Sequence, residues 1–191
     1  MRIISGKWKG RVLNSKIPSG IRPTQDAMKE TIFNILRNYI NIEKTVCADI
    51  CAGAGLLGIE ALSRGAQKVY FVDKNIKSIN LIKQNLNFIS VATTDYKLLN
   101  LDATQFVNYY KKTISTDEQI DLIFIDPPYH TSIINNILQL MPEKKIISNN
   151  GIIVAETAIF SQILVENNYK ILTERQFGAS KVIFFKPIFT H

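Results

Sequence analysis

Hydrophobic positions change their period several times along the chain. From Thr24 they recur at helical spacing, with Met28, Ile32, Ile35, Leu36 and Tyr39 on one face and Thr24 placed to cap the helix. Apolar runs of strand length follow at 45–50, 68–72, 97–101, 120–125 and 151–155. Between and after them lie helix-period segments near 56–64, 75–88, 103–111, 132–140 and 160–167. Strand and helix in alternation predict a doubly wound, mostly parallel sheet. The end of the chain breaks the rhythm. Two β runs, 169–177 and 181–186, are joined by Gly178-Ala179-Ser180, which predicts an antiparallel pair at one sheet edge and brings the strands to seven. At the other end, 2–5 and 11–14 flank Gly6-Lys7-Trp8-Lys9-Gly10 and predict a small β-hairpin. Pro18, Gly20 and Pro23 mark an irregular stretch, and Asn149-Asn150 reads as a loop.

Composition narrows the class. The 191 residues are 46% hydrophobic and 20% charged, a globular mixture for one domain with at most a small appendage. A chain this long buries roughly 70% of its unfolded surface and needs no disulfide or metal staple. Cys47 and Cys51 have no matching second pair, and His130 and His191 are the only histidines, so no metal site is expected. No apolar run approaches the length of a membrane span, and a cytoplasmic protein is expected. The net charge of +7 is concentrated at one end: residues 1–45 hold nine basic and three acidic residues, and 1–22 hold six basic and none acidic. A basic arm on a near-neutral body suits a phosphate-rich partner. Its apolar residues lack helical spacing, which favours nucleic acid over a membrane surface.

In an open α/β sheet, ligands bind beyond the carboxyl ends of the strands, so those ends carry the candidate chemistry. The first predicted strand ends in Asp49-Ile50-Cys51-Ala52-Gly53-Ala54-Gly55, and Gly53, Gly55 and Gly58 satisfy G-x-G-x-x-G. The second ends in Asp73, placed to accept hydrogen bonds from the two hydroxyls of a ribose. A nicotinamide dinucleotide is disfavoured, because Asp49 would set negative charge beside the pyrophosphate; a cationic cofactor such as S-adenosylmethionine suits it. Asp102 ends the third strand, either as an acceptor for an adenine amino group or as a helix N-cap. The fourth ends in Asp126-Pro127-Pro128-Tyr129. An exocyclic amine on a base is a poor nucleophile because its lone pair is delocalised into the ring. Two acceptors aimed at its hydrogens, the Asp126 carboxylate and the Pro127 carbonyl, favour the pyramidal nitrogen that attacks a methyl group. Consecutive prolines hold those carbonyls in place, and the Tyr129 ring can stack on the base.

Together these motifs resemble class I S-adenosylmethionine-dependent methyltransferases that act on amino groups. The arm narrows the resemblance. Arg2-Ile3-Ile4-Ser5-Gly6, Gly10-Arg11, Arg22-Pro23-Thr24-Gln25-Asp26, Glu30–Leu36, Gly58–Ala66 and Phe177-Gly178 resemble the bacterial 16S ribosomal RNA guanine-N2 methyltransferase family of the RsmD type. That resemblance implies a Rossmann-like domain over 24–191 and a basic RNA-binding extension over 1–23. It implies methyl transfer to N2 of a guanine in 16S ribosomal RNA, within the 30S subunit or an assembly intermediate, by a monomer. Asp49, Gly53, Gly55, Asp73, Asp102 and Ala103 would hold the cofactor. Asp126, Pro127, Pro128 and Tyr129 would serve the reaction, and Arg2, Lys7, Lys9, Arg11, Arg22 and Thr24 would hold RNA. Ala27 stands where relatives often carry Arg or Lys, which removes one possible phosphate contact. Cys51 reads as a small packed residue and His130 as a rim residue. Trp8 reads equally as a base-stacking ring or as cover for the arm's apolar side. An adenine-N6 methyltransferase shares the D-P-P-Y chemistry, and a non-catalytic RNA-binding assembly factor would share the arm; these are the competing readings.

Overall fold

The computed structural model describes residues 1–15, 22–113, 118–128, 132–144, 146–164 and 168–189, with backbone alone at 22–24 and 142–144. Seven strands form one sheet: β1 (Val46–Ile50), β2 (Lys68–Val72), β3 (Tyr96–Leu99), β4 (Ile120–Ile125), β5 (Ile147–Ala158), β6 (Tyr169–Phe177) and β7 (Ser180–Pro187). Their order across the sheet is β3-β2-β1-β4-β5-β7-β6, parallel up to β5 and antiparallel thereafter. The chain order reverses between β1 and β4, which leaves a crevice at the carboxyl ends of those strands.

Strand residues alternate between two cores. Cys47, Val69, Phe71, Leu122, Phe124 and Val154 pack on α1 (Arg22–Leu36), α2 (Leu56–Ser63) and α3 (Ile76–Phe88). Ala48, Tyr70, Ile123, Ile125 and Ala155 pack on α4 (Ala103–Thr113) and α5 (Ile133–Lys144). Residues buried on both sides explain why the central strands read as unbroken apolar runs.

Three expectations need correction. Helix α1 begins at Arg22, two residues before the expected cap, so Thr24 lies inside its first turn. Pro23 is tolerated there because the first turn of a helix has no use for its missing N–H. Residues 160–164 are a turn and irregular chain rather than a helix, and Phe160 is almost fully exposed. Asn149 and Asn150 lie within β5, where the register against β4 shifts between Ile120 and Leu122. An irregularity of that kind hides a strand behind loop-like residues. The arm forms the expected hairpin, a short antiparallel ribbon bridged at Arg2 and Val12 and held by Ile3 N–H to Arg11 O at 2.9 Å and Leu13 N–H to Met1 O at 2.8 Å. No helix among the described residues is long and apolar enough to cross a membrane.

Candidate active site and the arm beside it

The loop from β1 into α2 turns through left-handed backbone at Cys51 (φ 61°), Gly53 (φ 55°) and Gly55 (φ 75°). It brings α2 so close to the sheet that a Cβ on Gly58 would stand 2.4 Å from the Phe71 ring and 3.0 Å from Asp49 Oδ2. Only glycine fits there. In return the Gly58 N–H donates to Asp49 Oδ2 at 2.9 Å. Asp49 is 2% exposed, and burial, reinforced by the charge of Asp73, pushes its carboxyl up to about 7 despite the Gly58 bond. Burial likewise pushes the Cys51 thiol up to about 12, with Asp73, Asp126 and Asp49 adding to it, so this sulfur is no thiolate nucleophile at neutral pH.

Asp73 follows β2 and is fixed by two backbone donors, Gly53 N–H on Oδ2 at 2.9 Å and Asn75 N–H on Oδ1 at 2.8 Å. Each oxygen keeps acceptor capacity for a hydroxyl. Asn100 braces the same turn, donating to the carbonyls of Asp73 and Lys74 at 2.9 Å each. Asp102 forms a reciprocal capping box on α4: its Oδ1 accepts Gln105 N–H at 2.7 Å, and Gln105 Oε1 accepts Asp102 N–H at 3.0 Å. The N-cap role is therefore real, and it leaves the carboxylate at the pocket wall. Asp126 continues β4 alongside β1 through its N–H to Ile50 O at 3.2 Å. Its side chain reaches water yet is hemmed in by protein. Desolvation, then the charges of Glu156 and Asp49, raise its carboxyl well above the usual range.

One cavity of about 600 Å³ joins these groups. Asp49, Gly53, Asp73, Asp102, Ala103, Asp126, Pro127 and Pro128 all line it, while Gly55 is buried behind the loop. Tyr129 and His130 lie outside the described residues. Two further wall groups, Ser15 Oγ and Gln25 Oε1, are buried without a hydrogen-bond partner among the described residues. A polar ligand would satisfy such groups.

Arg2, Lys7, Lys9 and Arg11 are exposed and lie outside this cavity; Arg22 and Thr24 stand on the first turn of α1, where the backbone alone is described. What anchors the arm escaped the sequence reading. Glu60 of α2, 1% exposed, accepts Ile4 N–H (2.9 Å), Ser5 N–H (3.0 Å) and Arg64 Nε–H (2.9 Å), and pairs with Lys29 Nζ at 3.1 Å. Lys29 Nζ also donates to Arg2 O at 2.6 Å. Burial lowers the Lys29 pKa against the opposing pull of Glu60. Asn85 ties Asn14 of the arm to Ala54 O of the glycine loop, at 2.9 and 3.1 Å. A Cβ on Gly6 would meet Ser63 O at 1.7 Å, so the arm touches α2 backbone to backbone. Trp8 packs on the core while Lys7 lies over its ring at 5.1 Å, which favours the covering role. A carboxylate in an otherwise small and apolar helix was the available signal for Glu60. Glu156 lies just past the expected end of the fifth strand at 155, whereas β5 runs three residues further to Ala158 and carries Glu156 to the cavity.

Sheet order, glycine loop and acidic strand ends define an α/β domain of the Rossmann-like methyltransferase type. Residues 1–186 match the family described as conserved hypothetical protein 95, and the chain belongs to that family. Ribosomal RNA small subunit methyltransferase D of Haemophilus influenzae is 34% identical over 178 residues, 93% of this chain and 89% of that protein. A putative rRNA methyltransferase of Bacillus subtilis, YlbH, is 37% identical over 156 residues, 82% of each. Among solved structures, a putative methyltransferase from Escherichia coli superposes with a TM-score of 0.81 at 25% identity, covering 98% of this chain and 97% of that one.

Proposed function

We propose that this protein methylates the exocyclic N2 of a guanine in 16S ribosomal RNA, with S-adenosylmethionine as methyl donor. The observation that carries the reading is the single cavity shared by Asp49, Asp73 and Asp102 at one side and Asp126 and Pro127 at the other. The fit of the cofactor rests on its charge. The wall carries five carboxylates, Asp49, Asp73, Asp102, Asp126 and Glu156, against two lysines, Lys29 and Lys74, and Lys29 is committed to Glu60 and Arg2, so the site suits a cation. S-adenosylmethionine carries a methyl group on a positively charged sulfur and delivers it to a nucleophile.

In this reading Asp73 accepts the ribose hydroxyls, Asp102 and Ala103 border the adenine, and Asp49 faces the ammonium, while Gly53 and Gly55 shape the loop. Asp126 and the Pro127 carbonyl accept the two hydrogens of the target amine, localising its lone pair. Pro128 stiffens the turn, and Tyr129 stacks on the base. Rate enhancement comes from alignment and from acceptors placed in advance. The exposed cations Arg2, Lys7, Lys9 and Arg11, with Arg22 and Thr24, hold RNA phosphates. Residues 1–23 are then an RNA-gripping extension of the domain over 24–191, acting as a monomer in the cytoplasm on the 30S particle or its precursor.

The test is incubation with methyl-labelled cofactor and 30S particles or total ribosomal RNA from a strain lacking the enzyme, followed by nucleoside analysis. Label in N2-methylguanosine of 16S RNA is expected. Label in N6-methyladenosine, in protein or nowhere would refute the reading.

A further inference from the structure

Strands β4 and β5 run parallel, with Phe124 opposite Val154 and Ile125 opposite Ala155. The first pair packs on the α1–α3 side and the second on the α4–α5 side. The next pair, Asp126 and Glu156, therefore returns to the α1–α3 side, at the ordinary interstrand spacing of about 4.8 Å. Both line the cavity, together with Met28 and Ile32 of α1. Strand β5 also pairs with β7, which sets Glu156 opposite Val182. Its backbone is thus held from the β7 side, one residue beyond the last pair with β4, on a rigid element of the kind that suits a residue reading a substrate.

Two ionised carboxylates side by side offer acceptors and no donor, and a ligand that brings N–H groups to both favours that ionised form over one in which a proton is shared between them. Pro127 and Pro128, which follow Asp126, contribute no N–H either. The ligand edge that complements this wall must present donors alone. Guanine does so: its N1–H and the two hydrogens on N2 are adjacent. Adenine and cytosine place a ring-nitrogen lone pair beside the exocyclic amine, and that lone pair would face a carboxylate. We propose that Glu156 accepts the N1–H of the target guanine while Asp126 faces its N2 amine, which makes Glu156 the residue that selects guanine over adenine.

The proposal rests on the methyltransferase reading above and deepens it by naming how the base is chosen. Guanine bound this way also relieves the repulsion between the two acids, because N1–H meets one of them and an amine hydrogen the other. A base that leaves one carboxylate facing a lone pair keeps that repulsion and adds a desolvated acceptor pair to it.

The experiment uses RNA in which the mapped target guanine is replaced by 2-aminopurine, which keeps the 2-amine and lacks N1–H. Wild-type kcat/KM should fall by about 10²-fold or more, the scale on which a site built for a hydrogen bond rejects the analogue that cannot make it. Glu156→Gln, whose amide can donate as well as accept, should narrow the guanine to 2-aminopurine ratio at least tenfold (an order-of-magnitude expectation) with cofactor affinity kept within a few-fold. Equal use of the two bases by the wild type, a measurement that needs no variant, overturns the proposal. So does an unchanged ratio in Glu156→Gln. Failure of the wild type to form any N2-methylguanosine would take down the underlying reading as well, and it is seen before 2-aminopurine is tried.

Discussion

Asp49 gives the sharpest test, because its proposed duty and its cost to the fold have opposite signs. The carboxyl is buried, held by one backbone donor, and titrates at about 7, against an ordinary value of 3.8. The folded protein thus binds a proton that the unfolded chain releases. Between pH 4 and 7 this group's contribution falls as pH rises, by about 1.4 kcal/mol per unit, to a penalty of at most about 4 kcal/mol above pH 7. Asp49→Asn keeps an acceptor for Gly58 and removes the charge. The cofactor-free variant should therefore be more stable than wild type at pH 8 and little different at pH 4. Cofactor binding should move the other way. Loss of a charge-assisted pair is worth about 1.5–3 kcal/mol, or roughly 10- to 100-fold in affinity. In the wild type, affinity should rise about tenfold per pH unit up to about 7, with one proton released on binding below that, and then decline as an α-amino group of ordinary pKa near 7.7–8.0 loses its own proton. Denaturant unfolding of the free protein and calorimetry in buffers of different ionisation enthalpy measure both arms. A variant that loses stability and affinity together, or a wild-type affinity flat from pH 5.5 to 7, would refute the assignment.

Four further outcomes follow from the structure. Asp126→Asn should lower turnover by about 10²-fold with cofactor affinity nearly unchanged, and wild-type kcat/KM on RNA should fall as pH drops and the raised Asp126 carboxyl takes up a proton; single-turnover rates across pH check both. Glu60→Ala leaves Lys29 buried without its carboxylate and releases two arm N–H groups, so unfolding free energy should drop by about 3–5 kcal/mol, and a loss under about 1 kcal/mol would contradict the anchoring role. Gly58→Ala forces a methyl against Phe71 and Asp49, at a cost of about 1–3 kcal/mol and several degrees of Tm by calorimetry. Reversing Arg2, Lys7, Lys9 and Arg11 to Glu should collapse RNA binding and flatten its salt dependence while leaving cofactor affinity within a few-fold, because charges farther than about 8 Å are screened in physiological salt.

Local pattern was enough for the alternation of strands and helices, for the Gly53–Gly58 loop and for the acids at the strand ends, because each is set by neighbours in sequence. Period-two and period-3.6 burial, a left-handed turn and a capping box such as Asp102 with Gln105 need no distant partner. The misreadings arose where distant contacts override local preference. Asn149 and Asn150 are carried within β5 between two stretches that pair with β4, Ile147 on one side and Ile152 to Ala155 on the other, and residues 160–164 fail as a helix although their spacing allows one. The arm shows the limit most clearly. Its charge was plain from Arg2 to Arg22, yet its position depends on Lys29, Glu60 and Asn85, which lie 27, 56 and 71 residues along the chain from the arm residues they bind. A buried carboxylate finds four donors only after α1, α2 and the arm have met. The approach of Asp126 to Glu156 has the same origin: 30 residues separate them in the chain, and each follows directly on the last paired residues of two parallel strands, Ile125 and Ala155.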